Sequence, residues 1–561
     1  MNERLATLLQ LTLGVDVHTF APELILCGGI VFMLLVRLLP RYDRINLGWI
    51  ALIISAGACY QACEQWIDVP NMVARNSLDP DTKSTVLFGG MLIADAMSVF
   101  IKIFLLAFVT LVILLTLLTG IPDTEDSADF YVLLFGSTVG MSMMASANHL
   151  LMVFIAIEMT SLPSYALAGF LKGRRQSSEA ALKYVVYGGG ASGVMLYGIS
   201  LLAGYCGTGY LPDVVARVGA PGVLTEPVVA LGLAFLLLGL GFKLAAVPFH
   251  FWCPDVFEGA AAEVGAFLSV ASKGAALALL ARISLGLGGL STATVDPAVW
   301  SKATDYLVPV LAVFAIITTT FGNLAAYSQT NLKRLLAYST IAHAGFMMMG
   351  LATMTREGAG AVLFYLVVYL FMNLGAFAVV AFIRNLTGHE DITYLRGFVQ
   401  RSPLLVVMLG VFLLSLLGLP PLAGFSAKFQ IFAVVFDAAR MFAEHDKPKL
   451  AWTMYAVLVA GGMNTVLALF YYVKVLKVMV LEKMLEEVES RPVEAKPIPT
   501  IHAIYLSLLA VVILGLGVIW DPLACVCYGT RGTDAVAAID SFSPVPAVQA
   551  GPLANPAAKA K

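Results

Sequence analysis

Residues 231–282 read LGLAFLLLGLGFKLAAVPFHFWCPDVFEGAAAEVGAFLSVASKGAALALLAR. Two long apolar segments flank a short polar joint. Each segment carries one lysine, Lys243 and Lys273, where an apolar span should have none. Pro248 follows the first lysine by five residues. A lysine at the centre of a bilayer costs about 2.5–3.5 kcal/mol on insertion scales, so it lines a polar interior or has a partner. Proline removes a backbone donor and clashes with the preceding turn, so the first segment reads as an interrupted helix. A charged, interrupted helix beside a second charged helix is a place where an ion or a proton can move.

The rest of the chain agrees with a membrane setting. Of 561 residues, 59% are hydrophobic and only 12% charged. A soluble domain averages about 25% charged residues. With repeated long apolar runs, the composition specifies an all-α polytopic membrane protein. It excludes a soluble enzyme. It also excludes a nucleic-acid binder, because no basic domain is present and the net charge is −2. The seven cysteines are scattered, and Cys525 and Cys527 are too close for an ordinary zinc pair. They read as small apolar fillers. No glycine-rich dinucleotide fingerprint follows a strand and no P-loop is found, so any redox or nucleotide chemistry belongs to a partner. A cleavable leader is not expected, because the first apolar run lacks the usual basic lead-in and is long enough to span.

Hydropathy places spans near 21–40, 46–63, 92–119, 129–147, 149–171, 180–205, 226–248, 261–285, 305–328, 333–353, 358–384, 402–439 (interrupted), 451–480 and 500–520. These are about fourteen transmembrane helices. Arg37, Arg41 and Arg44 follow the first span; Lys172, Arg174 and Arg175 the fifth; Lys333 and Arg334 the ninth. Arg384, Arg396 and Arg401 flank the loop after the eleventh, and Lys474, Lys477 and Lys483 end the thirteenth. All fall on one side when the N-terminus is outside, which orients the chain by the positive-inside rule. An even number of spans then puts both termini on the periplasmic side of a cell inner membrane.

The twelfth span reads SLLGLPPLAGFSAK from Ser415 to Lys428. Like the seventh, it is an apolar helix broken by proline with a lysine near the break. Paired broken helices in corresponding positions point to internal transporter repeats. The expected organisation is three N-terminal helices in 1–128, a five-helix repeat in 129–285, a second in 305–480, a helix at 500–520 and a flexible tail at 521–561. The repeats are inverted, because an odd number of crossings separates equivalent points. Helices 7 and 12 are the discontinuous ones.

Five charges stand out inside spans: Glu158, Lys183, Lys243, Lys273 and Lys428. A glutamate beside a lysine favours the charged form of both, and removing or turning the acid favours the neutral amine. A lysine that loses its proton in this way is a proton relay site. The competing reading is a set of buried ion pairs that only fix packing. Lys183 lies near a helix start and can instead reach the interface. His343 and His250 are either proton shuttles or helix–helix hydrogen bonds. Lys333 and Arg334 read as interfacial anchors. Asp95 and Lys102, two turns apart on one helix face, read as packing or interface charges. The Gly188–Gly190 run lies inside a span and reads as close helix packing.

These residues together resemble a known family, the antiporter-like membrane subunits of the bacterial proton-translocating NADH:quinone oxidoreductase (complex I). Six stretches carry the resemblance: IEMTSLPSYALAGF (157–170), EAALKYVVYGGGASGVMLYG (179–198), GFKLAAVPFHFWCPDVFEGA (241–260), FLSVASKGAA (267–276), GNLAAYSQTNLKRLLAYSTIAHAGFMMMGL (322–351) and LSLLGLPPLAGFSAKF (414–429). Within the family, SVASKGAA is similar to the N type, where the L, M and cation-antiporter types usually carry a histidine. One departure is Ala260-Ala261-Ala262, where members often have a proline. The resemblance implies that Glu158 and Lys243 form a coupled acid–lysine pair, that Lys273 is a central relay, and that Lys428 serves the second half. It also implies protons as cargo and K-type and M-type subunits and membrane lipid as neighbours. NADH, FMN, iron–sulfur clusters and quinone would all be handled by partner subunits, with no cofactor in this chain. The alternative expectations are an Mrp-like cation/proton antiporter subunit, the equivalent subunit of a hydrogenase- or ferredoxin-linked complex, and a purely structural scaffold.

Overall fold

The computed structural model describes residues 14, 16–39, 46–76, 85–220, 222–287, 303–483 and 497–528. Arg41, Arg44 and the tail beyond Tyr528 lie outside the described residues. The chain is a helical bundle: α1 Ala21–Val36, α2 Leu47–Asn76, α3 Ala96–Thr119, α4 Ser127–Ala145, α5 Leu150–Ala168, α6 Arg175–Cys206 and the short α7 Leu211–Val218. It continues with α8 Pro227–Leu244, α9 Trp252–Gly259, α10 Ala262–Leu287, α11 Ala303–Ala326, α12 Leu332–Leu351 and α13 Arg356–Thr387. The last helices are α14 Pro403–Leu417, α15 Ala423–Glu444, α16 Pro448–Leu481, α17 Thr500–Val518 and α18 Asp521–Tyr528. Among the described residues, 11 helices are long and apolar enough to cross a membrane. Large apolar side chains such as Trp452, Val466 and Ile504 stay exposed on the outer faces. On a soluble protein such faces would be a liability, and in hydrocarbon they are the expected surface.

Two helices form the centre. The apolar stretch of α10 is buried throughout, and most of that of α13 is too. Inside α10, Leu268–Ser272 form a π-helical turn ending immediately before Lys273. Such turns widen the helix by one residue and leave its ladder locally loose. Ser269 within it accepts a hydrogen bond from the Asn373 amide on α13.

Both expected breaks are present. Helix α8 stops at Ala245, which adopts φ 55°, and the Ala246 amide closes the end on the Gly241 carbonyl at 2.8 Å. The Trp252 indole donates to the Phe242 carbonyl at 2.9 Å, beside the Ala245 amide, and the Val247 amide donates to Thr318 Oγ1 at 3.0 Å. Helix α14 ends at Gly418, φ 90°, and the chain restarts at Ala423 after Pro420 and Pro421. A broken helix in a membrane must satisfy its freed backbone groups internally, and at both breaks side chains do so.

Three expectations are corrected. Residues 92–94, read as part of the third span, form strand β2 (Leu92–Ala94), paired antiparallel with β1 (Thr85–Leu87) in the register Val86↔Ile93. The helix starts only at Ala96, where Asp95 and Ser98 form a reciprocal cap. The tail was expected to be flexible from residue 521, yet Asp521–Tyr528 form a helix against α13. Burial of Cys527 and a 2.9 Å hydrogen bond from the Tyr528 hydroxyl to Gln430 tie it down. Finally, Lys333 is no interfacial anchor. It is buried, donates to the Ala260 carbonyl at 2.7 Å and pairs with Glu390 at 2.8 Å.

Candidate functional site

The three central lysines lie deep in the bundle: Lys243 is 1% exposed, Lys273 0% and Lys428 4%. Each is placed by a local irregularity. Lys243 is the penultimate residue of α8, just before the break. Lys273 follows the π turn of α10. Lys428 sits one turn into α15 and reaches back to donate to the Leu417 carbonyl at 2.8 Å. The Lys428 ammonium is thus held at the end of half-helix α14, where the partial charge of the last carbonyls is negative.

Helix α12 connects the second and third lysines. Lys273 Nζ donates to Thr340 Oγ1 at 2.7 Å. His343, nearly one turn further along, places Nδ1 2.7 Å from the Tyr365 hydroxyl and Nε2 3.4 Å from that of Tyr472. The Tyr472 hydroxyl also lies 2.6 Å from Ser339 Oγ. Phe346, three residues beyond His343, carries the Lys428 ammonium over its ring at 4.7 Å. One helix face therefore presents Thr340, His343 and Phe346 in order between Lys273 and Lys428.

The Glu158–Lys243 end is built differently. Lys243 Nζ and Glu158 Oε1 are both buried and neither has a hydrogen-bond partner. The Tyr165 hydroxyl, two turns beyond Glu158 on α5, is orphaned too. The surround is aromatic: Tyr184 stacks on Trp252 at 4.4 Å, and Phe242 packs beside Trp252 at 5.3 Å.

Lys183 does not join the buried line. Its side chain is 38% exposed and pairs with Glu179 at 2.9 Å and Asp255 at 2.7 Å. Asp255 also meets Arg334, and Arg334 meets Glu258, each at 2.7 Å. The cluster clamps α9 between α6 and α12. His250 packs between Phe251 and Phe321, with ring centroids 4.5 Å from each. In the loop before α6, Lys172 pairs with Asp126 at 2.6 Å, and that hydrogen bond raises its amine above the ordinary lysine value.

The sequence reading missed several buried pairs. Glu263 meets Arg384 at 3.1 Å, Asp95 meets Arg282 at 2.7 Å, and Lys102 meets Glu23 at 2.8 Å. Glu263 and Arg282 stand inside the opening stretch itself, so the signal was a charge within an apolar run. Among the described residues, no group of three or more His, Cys, Asp or Glu side chains is placed to hold a metal.

Broken helices that meet buried titratable side chains inside a helical bundle define an ion-translocating membrane protein. Residues 147–444 match the family described as "NADH:quinone oxidoreductase/Mrp antiporter, TM". The chain is 38% identical over 514 residues to NADH-quinone oxidoreductase subunit N of Anaeromyxobacter sp. (strain Fw109-5), covering 90% of this chain and 94% of that one. It is 33% identical over 548 residues to NAD(P)H-quinone oxidoreductase subunit 2 of Gloeobacter violaceus, covering 96% and 97%. The chain belongs to the NADH:quinone oxidoreductase/Mrp antiporter family of membrane subunits. Its structure is similar to a chain of respiratory complex I from Thermus thermophilus, with TM-score 0.68 and 31% identity over 90% of this chain and 99% of that one. A chain of the Mrp complex from Dietzia sp. shares the fold, with TM-score 0.74 at 19% identity, over 94% and 99%.

Proposed function

We propose that this chain is a proton-translocating membrane subunit of an NADH:quinone oxidoreductase. The observation that carries the reading is the line of buried lysines on two broken helices and the π-interrupted helix between them, within the region that matches the family. The two relatives named above and the Thermus complex I chain support the NADH:quinone setting, whereas the likeness to the Mrp complex is one of fold alone. Electron transfer, with its NADH, flavin, iron–sulfur clusters and quinone, takes place in partner subunits. K-type and M-type subunits are the proposed neighbours in the membrane arm.

In this reading the chain has about fourteen spans, ten of them in two inverted five-helix repeats with three before and one after, and both termini face the periplasm of a cell inner membrane. Glu158 and Lys243 form an open pair. Movement at the Ala245 break brings the two groups together or apart and changes the proton affinity of Lys243. A proton passes from Lys243 to Lys273, and from there along Thr340, His343 and the Tyr365–Tyr472 hydroxyls towards Lys428. Lys183 belongs to the charge clamp on α9 and steadies the joint.

The test is Lys243→Ala in the assembled complex, reconstituted in vesicles. NADH oxidation by an artificial acceptor stays intact, and proton pumping per NADH falls. Unchanged pumping by a fully assembled variant sinks the reading.

A further inference from the structure

Glu23 on α1 and Lys102 on α3 form a buried acid–lysine pair far along the sequence from the line of lysines. The carboxylate is 1% exposed, the lysine 2%, and Nζ lies 2.8 Å from Oε1. Neither carboxylate oxygen has a hydrogen bond of acceptable geometry. Gln65 on α2 donates to the carbonyls of His18 and Thr19, one turn before Glu23, and its own amide oxygen is also orphaned. Three other described groups lie nearby. The Phe20 ring lies 5.9 Å from the ammonium, Cys27 follows one turn on from Glu23, and Asp16 is occupied by the Phe88 amide.

A packing role explains this corner poorly. A buried salt bridge is weak evidence for stability, because apolar side chains of similar volume commonly do as well or better. An ionisable side chain within a membrane span is by default a functional site. Among the described residues one other buried pair contains lysine, Lys333–Glu390 at 2.8 Å, and its amine also donates to the Ala260 carbonyl at 2.7 Å; the remaining two differ in kind. Asp95–Arg282 and Glu263–Arg384 contain arginine, which does not release its proton in proteins. Lys102 is an amine and can release one. The Asp95–Arg282 pair joins α3 to α10, two turns before Lys102 on one helix and nine residues after Lys273 on the other.

We propose that Glu23 and Lys102 exchange protons with the extracytoplasmic side, at the release end of the path that serves Lys273. This rests on the function proposed above and on the orientation given there. The proton moves from the Lys102 ammonium to the Glu23 carboxylate, leaving a neutral amine and a carboxylic acid. The acid releases its proton to water outside, and the amine takes up another from the interior. The Asp95–Arg282 pair keeps its charges and positions α3 against α10.

The experiment uses the whole complex in vesicles, with Lys102→Arg, Glu23→Gln and the near-isosteric double variant Glu23→Gln with Lys102→Met. Lys102→Arg keeps the charge and the pair but holds its proton, so pumping per NADH should fall by about twofold or more while assembly is normal. The double variant leaves no unpaired charge and should show the same loss. Wild-type pumping by an assembled Lys102→Arg complex, or by the double variant, overturns the proposal and leaves a structural pair. Lys243→Ala in the same preparation separates the two readings. If it alone loses pumping, only the role of Glu23 and Lys102 fails; if it too pumps normally, the proposed function fails.

Discussion

Among the described residues Lys273 has one side-chain hydrogen-bond partner, Thr340 Oγ1 at 2.7 Å. A hydrogen bond to a charged group contributes about 1.5–3 kcal/mol, so Thr340→Val leaves a buried ammonium nearly unsupported. The expected outcome is reduced proton pumping per NADH with NADH oxidation retained, measured in vesicles holding the assembled complex. Tyr472→Phe removes the hydroxyl shared by Ser339 and His343 without changing the ring. A loss of pumping with normal assembly is expected there as well, and a wild-type rate would take Tyr472 out of the path. At this scale the sequence was informative about charge and mute about partners. Lys243, Lys273 and Lys428 were legible because an amine in an apolar run is conspicuous. Thr340, Ser339 and Tyr472 were not, since hydroxyls are ordinary in membrane helices and only distance gives them a role.

The breaks belong to the scale of the element. Gly424 opens α15 so close to the end of α14 that a Cβ there would lie 1.7 Å from the Ser415 carbonyl oxygen. A backbone carbonyl cannot swing aside as a long side chain can. Gly424→Ala should therefore disrupt the second break, read as a lower unfolding temperature or failed assembly. Gly193 on α6 has open space around it. Gly193→Ala should be neutral or stabilising by up to about 1 kcal/mol, since alanine is the better helix former. Proline placed both breaks in the sequence, and their positions hold to within a few residues. The π turn before Lys273 left no such mark, because LSVAS contains neither proline nor glycine. It arises where Ser269 meets Asn373 across two central helices.

For the whole molecule, the buried pair Glu263–Arg384 ties α10 to α13, the two central helices. Arg384→Met leaves Glu263 buried and alone, and breaking such a pair costs about 3–5 kcal/mol. The purified protein should unfold at a clearly lower temperature in mild detergent, and adding Glu263→Met should restore most of the loss. If the single variant unfolds like the wild type, the pair is not what holds the two helices together. Composition alone determined the solvent of this protein: 12% charge spread between long apolar runs forces a helical bundle in a bilayer. Proline and lysine in those runs determined where the helices break and which amines lie inside. Which amine faces which hydroxyl was decided only by tertiary structure, as with Lys273 at Thr340 and Lys428 over Phe346. So were the partners of Lys102 and Lys333, which the sequence assigned to packing or to the interface. The physical reason is that burial is set by hydropathy over tens of residues, whereas pairing depends on a few ångströms between helices distant in the chain.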